Sequence, residues 1–188
     1  GTFVGFLMRW QGHYDWTGGQ PRIGWYPLGA IGGYDWQNQT DDFSLRIVGN
    51  NVAPIAEDMS GRHLQVGVRY IFKMRAETFG TSSAYYLKVW EDGTSEPSGW
   101  DISGMGLQGE LKNGSALLIA HQVDANFGNV AITPGPFNDS PVVLSNIQQD
   151  EEKGELLGWK LSNKIQKEIQ YTYQFHVSVI EDQTCKNL

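Results

Sequence analysis

Two stretches of the chain place large rings on either side of a carboxylate: Tyr14-Asp15-Trp16 and Tyr34-Asp35-Trp36. Each is followed by small and polar residues, the composition of a loop. Trp25-Tyr26 lies between them. A neutral sugar presents C–H faces, which rings cover, and hydroxyls, which Asp, Asn, Gln and Arg hydrogen-bond. Tyr14, Asp15, Trp16, Trp25, Tyr34, Asp35 and Trp36 are therefore candidate carbohydrate contacts, provided their rings face solvent. The competing reading is packing, because Trp and Tyr are largely buried in sandwich cores. A second candidate surface is a mixed basic and aromatic strip on one face of a hairpin over 68–91. It carries Lys73, Arg75, Tyr86, Lys88 and Trp90, with Arg75, Lys88 and Trp90 as its chief candidates for sugar contact.

Catalytic chemistry finds little to work with. Glycoside hydrolysis needs two carboxylates facing one bond, and the acidic residues of EDGTSEP and QDEEKGE sit in a turn and in a charged run. The motifs G-x-S-x-G, H-E-x-x-H and G-x-x-x-x-G-K-[ST] are missing, so no nucleophile, zinc or phosphate signature is present. His13, His63, His121 and His176 lack metal-ligand spacing. Asp124 and Asn126 in VDANFGN are the best oxygen ligands for a structural calcium, with Asp41 and Asp42 behind them. The bland alternative is an Asx side chain bonding its own turn. No other cofactor is expected. Asn38, Asn113 and Asn138 each open an N-x-[ST] sequence, which fits a glycosylated extracellular protein and also fits chance.

The elements that must position these residues follow a period of two. The N-terminal GTFVGFLMRW alternates Val4, Phe6, Met8 and Trp10 against Phe3, Gly5, Leu7 and Arg9. It lacks the basic start and cleavage site of a signal peptide, leaving a trimmed mature chain or a piece of a longer protein as the two expectations. Short strands are predicted over 43–49, 62–66, 116–122 and 127–133. A hairpin is predicted with Tyr70, Phe72, Met74, Ala76, Tyr85, Leu87 and Val89 inward. From Ile165 to Val179 the alternation gives a long strand, apolar on one face and uncharged polar on the other. A helix is suspected only over 148–153. The fold class expected is all-β, a β-sandwich or jelly roll.

With 188 residues the chain can bury one sizeable core. Its 14 basic and 21 acidic residues give a net charge of −7, which disfavours nucleic acid and anionic membranes as partners. No apolar run is long enough to span a membrane. Cys185 is the only cysteine, so no intrachain disulfide can form, and it reads as a tail thiol or a link to another chain.

The segment YYLKVWEDGTSEPSGW, with Lys88, Val89, Trp90, Gly93, Glu96, Pro97 and Trp100, resembles an element of concanavalin A-like, laminin-G-like jelly rolls. These modules occur in secreted polysaccharide-active proteins and virion tail proteins. GSALLIAHQVDANFGNVAIT is similar to their closing strands, through Asp124, Phe127, Asn129 and Val130, and GWYPLGAI to their early segment. The resemblance covers roughly 1–135 and implies a jelly-roll domain there, with 136–188 an extension packed on the same domain or on a neighbouring subunit. It implies fold far more than function. Two functions are carried forward. One is a non-catalytic extracellular carbohydrate-binding module for a neutral glycan. The other is a structural subunit of a virion or cell-surface appendage, self-associating by strand addition through 165–179.

Overall fold

A computed structural model describes residues 2–12, 29–36, 43–48, 54–106, 110–134, 142–144 and 171–182. Every regular element among them is a strand: β1 (Thr2–Trp10), β2 (Ala30–Trp36), β3 (Phe43–Val48), β4 (Pro54–Asp58), β5 (Arg69–Phe79), β6 (Ser82–Glu91), β7 (Ile102–Met105), β8 (Ser115–His121), β9 (Val123–Pro134), β10 (Val142–Leu144) and β11 (Tyr171–Asp182). They form two antiparallel sheets, one ordered β4-β3-β2-β1-β8 and the other β10-β9-β11-β5-β6-β7. The first is a meander of β1 to β4, with β8 returning to pair with β1; β5 to β7 form a second meander in the other sheet.

The core lies between the sheets. Val4, Phe6 and Met8 of β1 and Tyr34 of β2 meet Phe72, Met74 and Ala76 of β5 and Tyr85, Leu87 and Val89 of β6. The inward set read for the hairpin therefore lies on the core face, because one face of each strand must leave water to stabilise the pair. Burying each large apolar side chain contributes about 1.5–3 kcal/mol. A second apolar cluster joins Phe3, Leu7, Ile31, Leu117 and Ile119, so β1 is buried on both faces. Gly5 and Gly33 pair directly across β1 and β2, and a methyl group on either would run into the facing backbone and the Phe3 ring.

The structure corrects several expectations. The 62–66 segment is not a strand; Pro54–Asp58 forms that edge instead. Trp10 packs with the Phe3–Leu7 cluster, not with Val4, Phe6 and Met8. The cause is a register shift between Leu7 and Trp10, where Arg9 takes a positive φ of 60°. The bulge reverses the alternation and sends the Arg9 side chain toward the other sheet. There its guanidinium donates to Ser83 Oγ at 2.6 Å, Tyr85 Oη at 2.9 Å and Thr78 Oγ1 at 2.7 Å. Nothing in a binary pattern announces a buried arginine. Burial also pushes the Tyr85 hydroxyl up to about 12, against the opposing charge of Arg9.

The long C-terminal strand takes a place that the sequence left open. Its described part packs on the same domain, one of the two expected places, but not beside residues 2–10. β11 lies inside the six-stranded sheet, with β5 on one edge and β9 on the other. Both edges of β11 are hydrogen-bonded, so the described part of 165–179 offers no open ladder for strand addition, and residues 165–170 lie outside the described residues. Residues 1–135 alone would leave β5 and β9 without the strand that joins them. The suspected helix over 148–153 lies outside the described residues.

Candidate functional site

The outer face of the six-stranded sheet can be written as rows from its register. Tyr86 of β6 lies opposite Arg75 of β5. Lys88 lies opposite Lys73, with Gln174 of β11 and Ala131 of β9 continuing the row. Trp90 lies opposite Ile71, followed by His176 and Gly128. Arg69, Ser178 and Asn126 form the last row. Rings and cations thus gather on the β6 side. Small and uncharged polar residues floor the β11–β9 side, where Gln174, His176, Ser178, Gly128 and Ala131 are all half-buried.

The segment linking β6 to β7, residues 92–101, folds back over the β6 side and becomes a wall. Its ends are fixed by backbone bonds: Asp92 N–H donates to Arg69 O at 2.9 Å and Asp101 N–H to Leu87 O at 3.0 Å. Asp101 also accepts from Val89 N–H at 2.7 Å and pairs with Arg62 at 2.8 Å. Gly93 turns the chain at a φ of 90°, a conformation that costs glycine little. Midway, Glu96 accepts from Lys73 at 2.8 Å and lies 2.7 Å from Lys88 Nζ, which also donates to Pro97 O at 2.7 Å. Burial works to raise the Glu96 carboxyl, but the hydrogen bonds and charges of the two lysines outweigh it and hold it below the usual carboxylate range.

Trp100 closes the wall. The Lys88 ammonium lies 4.9 Å from its ring centroid and 5.8 Å from that of Trp90, distances at which the ring quadrupoles attract a cation. Trp100 also meets Tyr86 at 5.5 Å between centroids, tilted by 42°. Arg75 lies over the Tyr86 ring at 5.5 Å and is ion-paired to Glu77. Burial lowers the pKa of the Arg75 guanidinium, opposed by Tyr86. Tyr86 in turn donates to Glu77 at 3.3 Å. At the far end His176 Nδ1 lies 3.3 Å from Asp92. The half-buried rings of Tyr86 and Trp100 share this face with Arg75, Lys73 and Gln174, and Glu77 and Glu96 balance the charges of Arg75 and Lys73.

The sequence candidates divide accordingly. Arg75 lies on this surface, half-buried. Lys88 and Trp90, expected as outward contacts, are only 5% and 6% exposed because the wall covers them, so they support the surface from beneath. Tyr34 and Asp35 belong to strand β2, not to a loop. Tyr34 is wholly buried, donates to Arg62 O at 3.0 Å and accepts from Leu64 N–H at 2.9 Å. Burial raises its hydroxyl far beyond the ordinary tyrosine range. It is a core peg and offers no face to a ligand. Asp35 is half-buried, and only the backbone of Trp36, paired with Thr2 and Phe43, is described. Tyr14, Asp15, Trp16 and Trp25 lie outside the described residues, as do Asn38, Asn138, Asp41, Asp42 and Cys185. Asn113 is exposed. Asp124 and Asn126 project from strand β9, not from a loop, and both are exposed. Among the described residues no group of three His, Cys, Asp or Glu could hold a metal ion.

Trp100 was not singled out as a contact by sequence reasoning. Its spacing from Trp90 carries no period, and only the fold-back of 92–101 brings it over Tyr86. The signal available was chemical: Glu96-Pro97 followed by a Trp, after two strands that each carry one lysine, Lys73 and Lys88. Among the described residues no helix is long and apolar enough to cross a membrane. Comparison with known protein families, curated proteins and solved structures gave no match.

Proposed function

We propose that this chain is a non-catalytic, extracellular carbohydrate-binding β-sandwich that takes a neutral glycan on the outer face of its six-stranded sheet. The observation that carries the reading is the Tyr86–Trp100 pair standing beside Arg75, Lys73 and Gln174. Tilted rings next to charge-balanced hydrogen-bond donors suit the C–H face and hydroxyls of a pyranose. Glu77 and Glu96 act as counter-ions to Arg75, Lys73 and Lys88. That use of the carboxylates favours binding over hydrolysis, which requires one carboxyl group held as an acid.

The jelly-roll class of the concanavalin A-like kind belongs to the same proposal. Its support is the Lys88-Val89-Trp90 strand end and the Glu96-Pro97…Trp100 return that builds the wall. The structural-subunit reading depended on a free C-terminal strand, and the pairing of β11 on both edges removes that support. A glycan array of the full chain tests the proposal. Trp100→Ala and Tyr86→Ala are each expected to lose at least tenfold in retention of neutral glycans, about 1.4 kcal/mol or more per ring. A full array response from both variants, or none from the parent, contradicts it.

A further inference from the structure

Of the ten asparagines, only Asn113 precedes a glycine. It sits in the exposed connection that enters β8, immediately before Gly114 and Ser115. Gly114 is dictated by the fold: its φ is 144°, and a side chain there would run into the backbone of Arg9 and Trp10. The nitrogen following Asn113 therefore belongs to a residue without a side chain, so no Cβ of its own stands between it and the Asn113 side chain. Across the sheet end, Gln11 Nε2 donates to both carbonyl oxygens of Asn113, at 2.7 Å to the side-chain Oδ1 and 2.9 Å to the main-chain O.

We propose that Asn113 is a self-modifying site, at which its amide converts to an acid with the Gln11 amide as oxyanion donor. The Gly114 nitrogen, losing its proton to solvent base, attacks Asn113 Cγ. Negative charge develops on Oδ1, where the Gln11 N–H already points. The C–Nδ2 bond breaks, and Nδ2 leaves with a proton as ammonia. Water then opens the succinimide at either carbonyl, giving aspartate or isoaspartate. The balance is one amide and one water in, one acid and one ammonia out, with no redox change. The new carboxylate adds to an already acidic protein. The isoaspartate form also inserts a main-chain methylene just before the Trp10–Ser115 pair, so aged protein melts lower than fresh protein. A glycan on Asn113 would block the step by occupying Nδ2.

The test incubates the unglycosylated full chain in mildly alkaline buffer and follows tryptic peptides by mass spectrometry. Expected is an amide-to-acid mass gain at Asn113, faster at higher pH. Gln11→Ala and Gln11→Glu are expected to slow it roughly threefold to tenfold, less than a buried oxyanion donor would. Gln11 is exposed, and a melting curve confirms that both variants remain folded. Failure of Asn113 to convert, or an unchanged or faster rate in both Gln11 variants, overturns the proposal.

Discussion

Arg9 shows how one residue can bind two sheets together. A single positive φ places its guanidinium among Ser83, Tyr85 and Thr78, all from the opposite sheet. The Tyr85 hydroxyl that receives it is raised to about 12 by burial, with Arg9 pulling the other way. The folded state therefore holds its proton after the unfolded tyrosine, with a pKa of about 10, has lost it. Stability is complete below pH 10 and falls as pH rises toward 12, by about 1.4 kcal/mol per pH unit for this group. Tyr34 acts in the same direction. Urea unfolding across alkaline pH is expected to show this decline, and Tyr85→Phe to flatten it while lowering stability at neutral pH by about 1 kcal/mol. An identical slope in the variant would mean that Tyr85 does not carry the effect.

At the scale of elements, the strands were largely legible because burial of one face imposes a period of two. β5, β6 and the inward set from Phe72 to Val89 were read directly. What escaped has a physical reason in each case. The β1 bulge shifts alternation without leaving a mark in the pattern. β4 and β7 are five and four residues long, too short for a period to emerge. The wall over Lys88 depends on tertiary fold-back, so Lys88 and Trp90 looked exposed and Trp100 looked incidental. The glycines of β1 and β2 are explained by close approach: Gly5 and Gly33 leave room for the Phe3 ring. Gly33→Ala is expected to cost roughly 3 kcal/mol through overpacking. Gly99→Ala, with open space around it, is expected to stay within about 0.5 kcal/mol of the parent. Thermal melts of the two side by side check this, and equal melting temperatures would refute the packing argument.

For the whole molecule, the decisive fact is where β11 sits. Period two identified it as a strand but not its neighbours, because pairing partners are set by topology rather than by local pattern. Its central place ties the last described strand to the middle of a sheet whose other strands all precede it in the chain. A chain ended before residue 171 is expected to lose cooperative unfolding, since β5 and β9 are then left with open edges inside the sheet. A truncated chain that keeps a single sharp transition at the parent's melting temperature would show that β11 is dispensable.

The carbohydrate surface itself is most directly tested by two-dimensional NMR of the full isotope-labelled chain, titrated with neutral oligosaccharides. The Trp100 indole N–H and the amides of Lys73, Tyr86 and Gln174 should shift together and saturate at one ligand concentration, while Phe3, Leu7 and Ile119 on the far sheet stay still. Shifts confined to the far sheet, or none with any sugar, would contradict a binding face built on Tyr86 and Trp100.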